Sequence, residues 1–413
     1  MNLDDFRETL FAWYAELWPS LLDYQRRFVE NGYKDDNTWG YEFGTKPYRG
    51  YPWQLVIASI AQNPELHAVV DGGHATEFGG RGGNLAQTIG QGLLDAAYKR
   101  MIGNTLLLGK PDATFAAVYE QIADYLSATV LPFRAVSLLN NIRTHAPLEL
   151  DATTSIAFAP NDLRSDPRWN DVLLDDPHEL PAVFVEGFTS PKVPFGSTVD
   201  LLPIIEQHRA TAEDGVLAIT VVRRQYGSAG TMLIEPAGWM PSPSSSRYDN
   251  HLPSVRGERT VIEADDRELL RSAWAAIHVK RDQRLRSCVS RLRSADGERN
   301  DGEAILELLT GLEAIIGEDG ERQLKRRISM VAARLVAEEL AMTERRIFDV
   351  LWEAFEIRTT LLRGRVNDAA SAGVRSTVER VVRALAQMKV REDPRLGKPS
   401  LDIILRAGEQ APE

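Results

Sequence analysis

Three stretches of the chain gather residues capable of chemistry. Asp71 to Leu94 reads DGGHATEFGGRGGNLAQTIGQGLL. Gly79, Gly80, Gly82 and Gly83 ahead of a helix start would let backbone N–H groups approach an anion. No strand clearly precedes the run, it lacks the Gly-Lys-Ser/Thr ending of a phosphate loop, and it does not match Gly-x-Gly-x-x-Gly. It therefore reads better as a variable loop. Asp175 to Glu179 (DDPHE) sets carboxylates around one histidine, but no second His stands at metal-ligand spacing, and a solvated turn accounts for it. Ser287 and Cys288 lie in an arginine-rich run with no histidine and carboxylate placed to activate either. The eight tryptophans read as packing residues rather than platforms for stacked bases. No metal or cofactor is expected.

The elements that must position any site fall into regions. Apolar residues are 43% and charged residues 26% of the 413, which excludes collagen-like and wholly disordered classes. A single cysteine excludes an intramolecular disulfide framework. The acidic start, MNLDDFRETLFAWYAELW, lacks the basic segment of a signal peptide. No apolar run approaches the roughly 18–20 residues of a membrane span. A cytoplasmic protein without membrane partners is expected.

Residues 1–130 read as mostly helical. Asp4 or Asp5 is expected to cap a helix running to Trp18 and stopped by Pro19, with Leu3, Phe6, Leu10, Trp13, Tyr14 and Leu17 on one stripe. Tyr33 to Trp53 is too rich in aromatics, Gly and Pro to be one regular element. Further helices are expected near Trp53–Ile60 and Asp112–Thr129. Residues 131–250 read as a small α+β module with a mixed sheet. Its strands are expected at Thr154–Ala159, Pro181–Phe188, Val216–Val222 and Gly230–Glu235, with a helix in Ser197–Thr211 interrupted or restarted at Pro203. Pro241–Asn250 reads as an exposed linker. Residues 251–390 read as a four- or five-helix bundle, beginning with a helix around Glu263–Arg286. Asp301 is expected to cap a helix carrying Ile305, Leu308, Leu309, Leu312, Ile315 and Ile316. Thr343 is expected to cap another carrying Ile347, Val350, Leu351, Ala354, Ile357 and Leu361. Residues 391–413 read as a flexible tail.

Charge divides along the same line. The chain carries net −11; residues 251–413 hold 29 basic and 28 acidic residues, which leaves net −12 on the first 250. The acidic part argues against nucleic-acid binding there. In the last part 25 of the 29 basic residues are Arg, suited by its planar fork to phosphate. An ordinary helical surface laced with i,i+4 ion pairs explains the same composition.

The segment RNDGEAILELLTGLEAIIGE, then RRISMVAARLV, then ERRIFDVLWEAFEIRTTLLRGRVND resembles the Apea-like branch of the HEPN family. Asp301 stands where those bundles open a helix on an acidic residue, and Leu312-Glu313 stands at their Leu-Glu pair. Phe355-Glu356-Ile357-Arg358-Thr359-Thr360-Leu361-Leu362-Arg363-Gly364 follows their later motif. The resemblance covers roughly Arg281 to Met388 and implies a HEPN-like bundle after the α+β part. It further implies a homodimer that acts on RNA in bacterial or phage-encoded antiviral defence. In active members an Arg and a His face their twins across the dimer and cleave RNA without metal. Here Arg358 holds the Arg position, but Arg363 replaces the His. Arginine does not exchange protons near neutrality, yet it still binds phosphate in bidentate fashion. The resemblance thus implies RNA or nucleotide binding through Arg358, Thr359, Arg363 and Arg365, with weak or no cleavage. An active metal-independent endoribonuclease using Arg358 and Arg363 is one alternative. A structural dimerisation module is the other, with Arg358 tying the bundle together through Glu313 or Asp301. On a straight helix Arg358 and Arg363 would point about 140° apart.

Overall fold

The computed structural model describes residues 2–31, 39–44, 46–71, 85–102, 111–158, 182–191, 202–224, 227–236, 246–248, 260–317, 324–364 and 371–397. They form two compact units interleaved along the chain. One comprises Met1–Ala135, Gly187–Pro203 and Leu233–Arg247; the other comprises Val136–Glu186, Ile204–Met232 and Tyr248–Glu413. The units are therefore not the consecutive regions 1–130, 131–250 and 251–390. Three long strands, β1 (Val130–Asn140), β5 (Ala182–Pro191) and β6 (Ser228–Pro236), each carry the chain across the boundary.

In the first unit, α1 (Asp4–Glu30) runs straight past Pro19 instead of stopping at Trp18. Its buried stripe explains why: Phe6, Leu10, Trp13 and Tyr14 before the proline continue as Trp18, Leu21, Tyr24 and Phe28 after it. Packing along the whole stripe outweighs the one helical bond that proline cannot donate. The N-cap is Leu3, which makes no side-chain cap bond, so Asp4 and Asp5 lie inside the first turn and favour the helix through its dipole. The aromatic stretch breaks into α2 (Trp39–Phe43) and a 3₁₀ turn, Lys46–Arg49. It is followed by α3 (Tyr51–Gln62), α4 (Pro64–Asp71), α5 (Leu85–Ile102) and α6 (Pro111–Ser127). Tryptophans serve the core here. Trp13 packs on Tyr48 and Trp53 with centroids 5.6 and 4.9 Å away and donates its indole N–H to the Pro47 carbonyl at 3.1 Å.

The strand order is β3-β4-β5-β1-β6-β7, with β3 (Leu148–Glu149), β4 (Thr154–Phe158) and β7 (Ser246–Tyr248). Antiparallel β4 and β5 pair Thr154 with Glu186 and Phe158 with Ala182. A separate parallel pair joins β2 (Ile142–Thr144) to β8 (Thr260–Ile262). Val216–Val222, expected as a strand, is the end of α7 (Leu202–Val222). Val216, Ala218, Ile219, Thr220 and Val221 are all fully buried. A helix covered on every face shows no 3.6-residue stripe, so its apolar run looks like a buried strand.

The rest of the second unit is helical. The helix expected over Glu263–Arg286 is interrupted. α8 (Arg267–Trp274) leads into a π-helical turn, Ala275–Val279, and the chain breaks at Arg281, whose φ is 52°. α9 (Gln283–Gly297) then starts on Asp282, whose carboxylate accepts from the Leu285 N–H at 3.0 Å. α10 (Asp301–Ile316), α11 (Leu324–Val336), α12 (Glu344–Leu362) and α13 (Ser371–Val390) complete a bundle in which α10 packs on α9, α12 and α13. The predicted apolar sets of α10 and α12 face this core; Val350 and Leu361 lie at its edge. In the segment expected as a tail, Pro394–Leu396 form a 3₁₀ turn capped by Asp393. No helix among the described residues is long and apolar enough to cross a membrane.

Candidate functional site

α12 carries the candidate residues. Thr343 caps it as predicted, its hydroxyl accepting from the Arg346 N–H. Ile347, Leu351, Ala354, Phe355 and Ile357 bury one face, which places Arg358 at the border between core and solvent. From there Arg358 Nη1 donates to Glu313 Oε1 of α10 at 2.5 Å; the two side chains remain 30% and 24% exposed. Leu312, the neighbour that anchors Glu313, is fully buried. The Thr359 hydroxyl donates to the Phe355 carbonyl at 2.8 Å, so its proton is committed within the helix.

Arg363 stands one residue past the helix. Its N–H bonds the Thr360 carbonyl, and Gly364 closes the end with φ 72° and an N–H to the Leu361 carbonyl at 2.8 Å. This is a left-handed C-terminal stop, at which glycine escapes the Cβ clash. The Arg363 side chain is exposed and pairs with no carboxylate among the described residues. Because α12 stays helical through Leu362, Arg358 and Arg363 leave it on faces about 140° apart. One chain does not bring them together on a single face of α12. Arg365 lies outside the described residues, as do residues 72–84 of the glycine-rich run and the DDPHE turn.

Asp301 does not cap α10. Asn300 does, accepting from the Gly302 and Glu303 N–H groups at 2.8 and 3.2 Å. Asp301, in the first turn, instead receives Arg375 Nη1 at 2.9 Å, and Arg375 Nη2 reaches the Ala295 carbonyl at 2.7 Å. One mostly covered arginine thus joins the start of α13 to the end of α9 and the start of α10. Nothing local in the sequence announces this, because the partners lie 74 and 80 residues apart. Cys288 is fully buried, and that burial pushes its thiol up to about 12, which leaves it inert as a nucleophile.

His278 lies far from Arg363. It sits on the π turn, with its Nδ1 3.0 Å from Asp214 Oδ2 and its ring stacked on Trp274 at 4.2 Å. Lys389 meets Asp282 at the start of α9 and Arg375 meets Ala295 near its end, so α9 and α13 run antiparallel. Leu361 packs over Gly302 at the start of α10, which puts Arg363 at the far end of α9 from His278. Fifteen residues of helix separate them, about 22 Å.

No protein-family model matches the chain, and neither curated proteins nor solved structures provide a match.

Proposed function

We propose that the C-terminal bundle is a HEPN-like module that binds RNA or nucleotide phosphate and cleaves it weakly or not at all. It would work as a cytoplasmic homodimer in bacterial or phage-encoded antiviral defence. The observation that carries the reading is Arg363, an exposed guanidinium at the end of α12 that pairs with no carboxylate among the described residues. Arg358 lies on the same helix, partly exposed and bonded to Glu313, 45 positions away. Arginine at position 363 binds phosphate without transferring protons.

Binding of a labelled single-stranded RNA, followed by fluorescence anisotropy in EDTA, tests the reading. Arg363→Ala should weaken binding roughly tenfold without lowering stability, the loss of about one charge-assisted contact. Arg363→His supplies a group titrating near neutrality and should create or raise cleavage that leaves 2′,3′-cyclic phosphate ends. Brisk EDTA-resistant cleavage by the natural protein, abolished by Arg358→Ala, would instead establish an endoribonuclease. The Arg358–Glu313 contact favours a second reading, a purely structural bundle held by these two residues. RNA binding unchanged in both Arg358→Ala and Arg363→Ala would support it.

A further inference from the structure

The bundle arginines differ in how fully they are satisfied. Arg375 gives two nitrogens to two acceptors and is 14% exposed. Arg383 is 13% exposed and reaches both the Thr220 carbonyl and Glu379. Both are sealed into the packing and serve it. Arg358 is about twice as exposed and makes a single contact, Nη1 to one oxygen of Glu313. Its fork has five N–H donors, and one of them is bonded to a side chain among the described residues. Solvent reaches this pair, whose side chains are 30% and 24% exposed, so its attraction is screened more than that of a sealed pair. A phosphate offers more oxygens and more charge, and takes the fork in bidentate fashion.

We propose that Glu313 is an internal competitor for phosphate at Arg358: it occupies the guanidinium in the empty protein and must be displaced when RNA binds. The inference rests on the phosphate-binding reading and adds its regulation. In the resting bundle Arg358 is neutralised, and among the described residues Arg363 presents the free positive charge at the end of α12. A chain of phosphates that engages Arg363 then reaches Arg358 by exchanging one anion for another. Weak mononucleotides are refused, because they cannot make both contacts. Glu313 therefore sets a threshold that favours polyanions over single phosphates.

The test compares binding of fluorescein-labelled oligouridylate to the full-length protein and to Glu313→Gln, Arg363→Ala and the double variant Glu313→Gln/Arg358→Ala. Glutamine keeps the size of the side chain and removes the charge. Glu313→Gln should tighten binding about two- to tenfold, the range of a partly exposed ion pair, and the gain should vanish in the double variant. Inorganic phosphate should also compete better against RNA on Glu313→Gln than on the natural protein. If Glu313→Gln loses its cooperative unfolding transition, Glu313→Asp withdraws the carboxylate by one methylene and should tighten binding in the same direction. Unchanged or weaker binding by folded Glu313→Gln, with Arg363→Ala still impaired, would overturn the competitor role and leave the phosphate site standing. RNA binding absent from every variant would overturn the phosphate site itself.

Discussion

Asp151 shows how one carboxylate can tie a loop to the helical core. It lies in the turn between β3 and β4, accepts from the Thr153 and Thr154 N–H groups at 2.8 Å each, and receives the Trp274 indole N–H at 2.7 Å. Burial pushes its pKa up, but the hydrogen bonds from Thr153, Trp274 and Thr154 outweigh burial and hold it below its ordinary value of 3.8. A depressed folded pKa means that the unfolded chain binds the proton more readily. The stabilisation is complete above the ordinary value and is lost as pH falls through the folded one. Asp151→Asn should therefore flatten the decline in stability below about pH 4, as read by urea unfolding across that range. Arg375 belongs to the same scale. Arg375→Ala removes bonds to Asp301 and Ala295 and should destabilise by about 1–3 kcal/mol, whereas exposed Arg363→Ala should stay within about 0.5 kcal/mol. Thermal unfolding of the two variants distinguishes a structural arginine from a surface one. The sequence offered Glu313 and Asp301 equally as partners of Arg358. Only the angular placement of α10 decides between them, and it gives Asp301 to Arg375.

At the scale of elements, α7 lies close over β5 because residue 215 is glycine. A Cβ there would stand 2.5 Å from the ring of Phe184, which is itself buried. Gly215→Ala should destabilise by about 1–3 kcal/mol through overpacking, despite the roughly 1 kcal/mol by which alanine favours helix. Phe184→Leu in the same chain should recover part of the loss. A stability gain from Gly215→Ala alone, measured by denaturant midpoint, would mean that helix and strand are not held at this distance. The bundle helices were legible because each has one wet face. The apolar spacing of α10 and α12 mapped onto buried positions, and Thr343 marked the start of α12. Elements failed to read where tertiary packing overrode local cues. The C-terminal half of α7 is covered all round, α1 carries a proline on an exposed position, and the π turn after α8 inserts a break that no Gly or Pro announces. The caps were close but not resolved: Asn300 and Asp301 are both good N-cap residues, and Asp301 was bound elsewhere.

At the scale of the molecule, the interleaved units change how the charge division can be tested. Residues 1–250 carry the excess of −12, but cutting there would split the second unit, which takes Val136–Glu186 and Ile204–Met232 from that same stretch. The intact chain is the object to measure, and salt is the variable. On single strands each phosphate neutralised by a protein cation contributes about −0.7 to the slope of log affinity against log salt. Arg363 enters the complex with its charge free. Arg358 enters beside the Glu313 carboxylate, whose negative charge offsets its own at the phosphates, so it adds little to the slope. A monomer should therefore show a slope of about −0.7, and a two-fold dimer in which both helix ends meet one RNA about −1.4. Glu313→Gln removes the compensating carboxylate and should steepen the dimer's slope to about −3. Light scattering at the concentrations of the titration fixes which protomer count applies. A dimer whose slope is the same in the natural protein and in Glu313→Gln would show that freeing Arg358 from Glu313 adds no phosphate contact. A concentration-independent monomer would remove the composite site that the two-fold arrangement requires.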